Sequence, residues 1–161
     1  MRMSVIPLLT VCLFNGTVAA QEFWSGTRYG MTKAQLRAKF GNELRPGEGK
    51  PADGAALYSA YTMETEICGG SFVVSFSFQP QKPADALRGV VLNMKQGTAI
   101  GEVFTNCILR EFSAVYGKPV ARDERRDIAT YTFTKLDTRV DLTTIPRAGT
   151  AMIVYALKPK L

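Results

Sequence analysis

The chain has 161 residues and a formal net charge of +6, and it contains no histidine. The length suits one ordinary domain. The missing histidine excludes Ser-His-Asp and Cys-His catalysis, imidazole general bases and nearly every ordinary zinc site. No glycine-rich phosphate-binding loop follows a strand pattern, so we expect no nucleotide, no other cofactor and no metal.

The N-terminus has the pattern of a secretory signal peptide. Arg2 precedes an apolar run over 4–14, and the small residues Val18-Ala19-Ala20 follow as a cleavage site. The run is far shorter than the ~20 residues that a transmembrane helix needs, so we expect no membrane span. The sequence predicts a signal peptide at 1–20, a single domain at 21–161, and a periplasmic or secreted location.

A lipid anchor is the competing interpretation of the same segment. Leu9-Thr10-Val11-Cys12 loosely resembles a bacterial lipobox. The box needs a small residue directly before its cysteine, whereas Val11 is branched. A cleaved leader is therefore the favoured reading.

The net positive charge indicates which classes of partner to expect. An exported basic protein meets anionic lipid, polysaccharide and peptidoglycan rather than nucleic acid. The basic residues are scattered, which is typical of an ordinary solvated surface. We expect another envelope protein or an anionic envelope component as the partner, and no nucleic acid.

The cysteines predict one disulfide. Cys12 leaves with the leader, and Cys68 and Cys107 remain in an oxidising compartment. Two free buried thiols or a redox pair are the alternatives, although no C-x-x-C spacing supports a redox pair. Strict strand alternation places Cys68 on the same side as Glu66, so a bulge at the following glycines is needed to turn it inward.

The first helix begins and ends at clear signals. Thr32 and Gln35 have the spacing of a capping box, and Leu36 follows as its first apolar anchor. The pattern predicts a helix over 33–40 that ends at Gly41.

Three strands follow this helix. Residues 45–55 are rich in proline, glycine and charge, which predicts a loop. Alternation of apolar and polar residues then predicts strands joined by a turn at Gly69-Gly70 and by a loop over 79–85. The predicted strands cover 61–67, 72–78 and 87–94.

A second helix is predicted over 99–116. Thr98 is its cap candidate, and Gly117-Lys118-Pro119 ends it. Apolar residues at helical spacing predict its buried face. They are Ile100, Val103, Phe104, Cys107, Ile108 and Val115.

The remainder of the chain repeats the strand pattern. The charged run 122–127 predicts a solvated loop, with an ionic docking loop as the alternative. Strands are predicted near 129–134, 139–143 and 153–157, with a turn over 146–149. Because each half opens with a helix and continues as a meander, the order is compatible with an internal duplication.

These elements predict an α+β fold: a two-layer sandwich in which two helices cover one face of an antiparallel sheet of about six strands, in the order α-β-β-β-α-β-β-β. The other face, here called the open face, would be polar and built of short side chains. Its predicted residues are Thr62, Glu64, Ser75, Ser77, Asn93, Thr130, Thr132, Arg139, Asp141 and Thr143.

The first functional hypothesis is a non-enzymatic exported binding protein that uses the open face. One alternative is an envelope polysaccharide hydrolase, since Glu64 and Glu66 would project from one strand face about 7 Å apart. Another is a structural, self-associating protein. The predicted binding residues are Thr62, Glu64, Ser75, Thr130, Thr132, Arg139 and Asp141.

An aromatic cluster follows the predicted cleavage site, at Phe23, Trp24 and Tyr29. Such rings often dominate binding interfaces, so the cluster could anchor a partner. Packing of the N-terminal segment over the edge of the core is the alternative.

Two helix boundaries carry a family resemblance. The capped entry Gly30-Met31-Thr32 with its stop at Gly41, and Tyr116-Gly117-Lys118-Pro119 before a meander, resemble small exported bacterial proteins of the SmpA/OmlA-like and β-lactamase-inhibitor-like kind. The resemblance implies an exported binding or assembly module without catalysis, in which a sheet face or its loops contact another envelope protein. The chain has one cysteine pair where the inhibitor-like proteins tend to have one in each half, so enzyme inhibition is not carried over.

Overall fold

The structure is a computed structural model that describes residues 22–47, 57–80, 84–95 and 101–159. The predicted signal peptide at 1–20, the predicted cap Thr98 and Ile100 of the predicted helix face lie outside these residues. The described residues form two α-helices, α1 (Lys33–Phe40) and α2 (Glu102–Tyr116), and strands β1 (Arg45–Pro46), β2 (Tyr58–Ile67), β3 (Gly70–Gln79), β4 (Ala86–Met94), β5 (Ala121–Arg125), β6 (Ile128–Lys135), β7 (Thr138–Ile145) and β8 (Thr150–Leu157).

The prediction of about six strands in the order α-β-β-β-α-β-β-β is wrong. All eight strands of the described residues form one antiparallel sheet, in the order β1-β2-β3-β4-β8-β7-β6-β5. Each half of the chain contributes one helix followed by four strands. The last strands of the two halves pair at the centre, where Val91 lies opposite Val154.

The two additional strands lie at the sheet edges, in segments that the sequence predicts as loops. In β1, Arg45 pairs with Thr62 of β2, and in β5, Glu124 pairs with Ala129 of β6. Every residue of both strands is exposed. An edge strand of this kind is held by backbone hydrogen bonds and has no core-facing side chains, so its sequence shows no apolar period.

Both helices pack against the same face of the sheet. In α1 the Phe40 ring lies 5.6 Å from Phe76 of β3. In α2 the Phe112 ring lies 5.7 Å from Phe133 of β6. Core side chains from every strand except β1 and β5 fill the layer between helices and sheet, among them the fully buried Phe72, Phe76, Phe78, Phe133, Leu92 and Ile153.

The buried face of α2 differs from the predicted one. Val103 and Val115 are 86% and 53% exposed, whereas Phe104, Ile108 and Phe112 are buried. These three follow one another at four-residue intervals, which places them on a single stripe of the helix. The predicted stripe was too wide, and it left out Phe112.

Local signals at α1 are confirmed. The Thr32 hydroxyl accepts a hydrogen bond from the Gln35 backbone N–H at 3.2 Å, and the Gln35 side-chain oxygen accepts one from the Thr32 N–H at 2.8 Å. Gly41 ends the helix with a positive φ of 55°. The capping box therefore satisfies two backbone donors that the first turn would leave unpaired.

The disulfide forms between Cys68 and Cys107, with their Cα atoms 5.9 Å apart. Cys68 and Gly69 have positive φ values of 54° and 77° and form the two-residue turn between Ile67 and Gly70. A tight hairpin turn, rather than the expected bulge, therefore places Cys68 within reach of the helix.

Candidate binding site

The predicted open-face residues all lie on the side of the sheet that the two helices leave uncovered. In β3, for example, the buried Phe72, Val74 and Phe76 alternate with the half-buried Ser75 and Ser77. The pleat sends successive side chains to opposite faces. The side chains of the open face therefore contact one another across neighbouring strands and do not contact the core.

One polar cluster lies in the second half of the sheet. The Thr132 hydroxyl donates to the Asp141 carboxylate at 2.7 Å, and the Arg139 guanidinium contacts the same carboxylate at 2.9 Å. Beside them the hydroxyls of Thr130 and Thr143 are 3.1 Å apart. Since each member is held by a cross-strand or same-strand neighbour, the cluster presents its polar atoms in fixed positions.

A second polar cluster lies in the first half. Glu64 forms an ion pair with Lys95 at 2.8 Å and a longer one with Arg45 at 3.6 Å. The hydrogen bond from Lys95, followed by the attraction of that ammonium and of Arg45, holds the pKa of Glu64 below its ordinary value. Glu64 is exposed, so these pairs are screened and contribute little to stability.

Near its centre the open face carries four apolar residues, which the sequence analysis did not predict. They lie around the exposed Asn93, which pairs with Val73 on one side and with Met152 on the other. Val91 faces Val154 across the central strand pair, and Met152 lies two positions from Val154 along β8. Val73 is the diagonal neighbour of Val91, because Ser75 is directly opposite that residue. Met152 is 40% exposed, and the three valines are half-buried. We call these four residues the apolar strip.

The apolar strip separates the two polar clusters. The strands β3 and β7 are three strand spacings apart, or about 14 Å. The predicted binding residues are therefore divided: Thr62, Glu64 and Ser75 lie on one side of the strip, and Thr130, Thr132, Arg139 and Asp141 lie on the other. The sequence does contain a signal for the strip. Val73-Val74 and Val90-Val91 are consecutive apolar residues, whereas a strand with one polar face alternates apolar and polar residues. Consecutive apolar residues are typical of strands that have two covered faces.

The geometry of Glu64 and Glu66 does not favour glycoside hydrolysis. A glycosidase needs one carboxyl group with a raised pKa as general acid, in a cleft with its partner across the substrate. The pKa of Glu64 is lowered instead, and both residues are exposed on one strand of an open sheet. Neither lines the aromatic cavity beside Tyr155 or the smaller cavity beside Arg147.

The N-terminal aromatic cluster packs on the edge of the core. Phe23 is 3% exposed, and Trp24 stacks on Phe40 at 6.0 Å. Tyr29 is 6.5 Å from Phe23, and Arg88 lies over its ring at 4.5 Å. The packing alternative describes this cluster better than a free partner anchor.

Comparison with protein families, with curated proteins and with solved structures finds no match to the chain. Within the described ranges, no cluster of three or more cysteine, aspartate or glutamate side chains could hold a metal ion, and no helix is long and apolar enough to cross a membrane.

Proposed function

We propose that the protein is an exported, non-enzymatic binding protein whose open face docks another protein of the cell envelope. The observation that carries the proposal is the apolar strip at the centre of a sheet face that neither helix covers. An apolar centre surrounded by polar groups is the usual anatomy of a protein interface.

The surroundings of the strip support the same reading. Hydroxyl groups border it, and so do the ion pairs Glu64–Lys95 and Arg139–Asp141, because Glu64 lies directly opposite Val73 and Asp141 directly opposite Val154. Charged residues at the rim of an interface steer association and fix the register of the partner more than they add affinity. Apart from Lys95, which directly follows β4, these side chains project from strands, which hold a site more rigidly than loops do.

Export is supported by two independent features. The sequence at 1–20 has the pattern of a signal peptide. The bond between Cys68 and Cys107 suits an oxidising compartment outside the cytoplasm. The partner we propose is therefore a protein of the envelope or of the surrounding medium.

The test is capture of envelope proteins on the immobilised chain, followed by measurement of the dissociation constant of the captured partner. Met152→Glu places a charge in the exposed centre of the open face and is expected to weaken binding at least tenfold. Val103→Glu makes a similar change on α2, on the opposite side of the sheet, at a residue that is 86% exposed. The control should bind like the wild type.

Two further substitutions probe the polar border. Thr132→Tyr adds bulk beside Asp141, and Arg139→Glu reverses a charge in the same cluster. Loss of binding in these variants and in Met152→Glu, with retention in Val103→Glu, assigns the interface to the open face. Equal binding by all four variants would overturn the proposal.

A further inference from the structure

A cavity lies on the helix side of the sheet, away from the open face. Its volume is about 590 Å³, and it is enclosed by the segment 22–28, the C-terminal half of α2, the turn between β6 and β7, and Tyr155 of β8. Pockets for small molecules usually measure about 300–1,000 Å³. The cavity therefore has the size of a small-molecule site, and the proposed docking function makes no use of it.

Aromatic rings form the floor and one wall. Phe112 lies 5.9 Å from Tyr116 and 6.4 Å from Tyr155, and the two tyrosine rings are 6.5 Å apart. Trp24 forms the wall and is supported from behind by stacking on Phe40. Ring contacts at such separations contribute about 0.5–1.5 kcal/mol beyond the area they bury, so the lining favours a ligand that is itself aromatic.

Two tyrosine phenols offer a point for hydrogen bonding among the rings, beside the hydroxyls of Ser25 and Thr138 in the lining. The phenol groups of Tyr116 and Tyr155 hydrogen-bond to each other, and burial raises the pKa of both. Both groups therefore remain uncharged near neutral pH, where a phenol can donate and accept. Charges of both signs lie around the cavity, so they do not select a strongly charged ligand. These residues are Glu22, Arg28, Glu111 and Lys135.

Two strained residues line the same cavity. Among the described residues, four that are not glycine have a positive φ, and two of these, Ser25 and Leu136, are in its lining. Leu136 is 67% exposed, so core packing does not offset a left-handed backbone that costs about 1–2 kcal/mol. Turns usually place glycine at such a position. The same positive φ occurs at Cys68 and Arg126, which are also first residues of two-residue hairpin turns, so it belongs to the turn. The observation that bears on a ligand is that the exposed Leu136 side chain lines the cavity.

We propose that this cavity binds an uncharged, planar aromatic small molecule that carries a hydroxyl or carbonyl group. The ring of the ligand lies against Trp24 and Tyr116, and its polar group bonds to the phenol of Tyr155. Leu136 and Val115, which is 53% exposed, cover the outer edge of the ring. The site is separate from the open face, so it does not depend on the docking function.

Trp24 is the only tryptophan of the chain, so its indole N–H gives a single, assignable signal in the nuclear magnetic resonance spectrum of the nitrogen-labelled full chain. Titration with β-naphthol, a flat bicyclic phenol, is expected to shift this signal until it saturates. Decanoate, a flexible chain of similar size, is expected to give no saturable shift. Absence of a shift with β-naphthol, or an equal response to decanoate, would overturn the proposal.

Two glycine variants separate binding from folding. Leu136→Gly relieves the backbone strain and removes the proposed contact, so the affinity for β-naphthol should fall about fivefold while the melting temperature does not fall. Arg126→Gly relieves the same positive φ at the turn between β5 and β6, outside the cavity, and should leave the affinity unchanged. Equal affinities in the two variants would contradict the proposed role of Leu136.

Tyr155→Phe tests the polar contact. It keeps the ring and its packing but removes the phenol, so the affinity for β-naphthol is expected to fall about fivefold, the effect of one lost hydrogen bond. The thermal melt of the unliganded variant reports separately whether the fold is intact. Unchanged affinity in a folded variant would show that the ligand makes no hydrogen bond to Tyr155, and it would contradict the proposed ligand class.

Discussion

Cys68, in the turn between β2 and β3, is bonded to Cys107 in α2, so the disulfide joins the first half of the chain to the second. The C-terminal part of α2 packs on the other half of the sheet, where Phe112 contacts Phe133 of β6. The helix thus spans both four-strand units, and its two ends are held by different means. The N-terminal half is held by the disulfide and by Phe104, which stacks on Phe72 at 6.4 Å, and the C-terminal half by aromatic packing alone.

We expect the Cys68→Ser and Cys107→Ser double variant to lose about 4 kcal/mol of unfolding free energy, because a closed loop with a sequence separation of 39 restricts the unfolded chain. The melting temperature should fall by roughly 10 °C. Dithiothreitol should lower the melting temperature of the wild type to that of the variant, and it should leave the melting temperature of the variant unchanged. An identical wild-type melt with and without reductant would show that the bond adds no stability.

The capping box gives a second prediction. Thr32→Ala removes the side-chain acceptor for the Gln35 N–H and should cost about 1 kcal/mol of unfolding free energy in urea titrations. Gln35→Ala removes the reciprocal bond. Because the two bonds form one structure, the double variant should lose less than the sum of the single losses. Strictly additive losses would contradict cooperation between the two bonds.

Short-range signals account for the parts of the fold that the sequence analysis predicted correctly. The box at Thr32, the stop at Gly41 and the turn that ends at Gly149 each depend on a few neighbouring residues, and the structure has all three. Pairing of β1 and β5 depends on the backbone of a distant strand, and neither strand carries a core-facing apolar residue. Such edge strands leave little trace in the local sequence.

The polar residues of the open face were predicted, including Asn93 on the central strand β4, but its four apolar residues were not. Alternation identifies a strand whose second face is polar, as in β6, where Thr132 separates the buried Tyr131 and Phe133. Near the sheet centre both faces are apolar, so Val91 and Val154 have apolar neighbours that are themselves buried. Local pattern does not tell which member of such a pair belongs to the core, because that depends on where the helices pack. The cavity beside Tyr155 likewise arises from four segments that are distant in sequence.

The buried tyrosine predicts a loss of stability at alkaline pH. Burial, followed by the neighbouring Tyr116, raises the pKa of Tyr155 well above its ordinary value of 10.0. Above about pH 10 the unfolded chain therefore releases this proton while the folded chain retains it, and the free energy of unfolding falls as the pH rises. Below that pH both states are protonated, and no such dependence is expected from this group.

Urea midpoints measured at about pH 8 and about pH 11 check this sign. The wild type should lose more stability between the two values than Tyr155→Phe, which has no phenol at this site. If Tyr155→Phe is as sensitive to alkali as the wild type, the ionisation of Tyr155 does not limit alkaline stability.

Charged side chains protect the edge strand β5 from pairing with another molecule. Asp123 and Arg125 form an ion pair at 3.2 Å, and Arg122 pairs with Glu124 on the other side of the same strand. Replacement by Asp123→Thr and Arg125→Val leaves the net charge unchanged but gives the edge β-forming residues. We expect this variant to associate as its concentration rises, because an exposed uncharged edge accepts a further strand. Light scattering over a concentration series measures the effect.

The matched control is the double variant Asp127→Val and Arg147→Thr. It removes an ion pair of 2.9 Å that lies next to β5 rather than in it, so this variant should remain as monodisperse as the wild type.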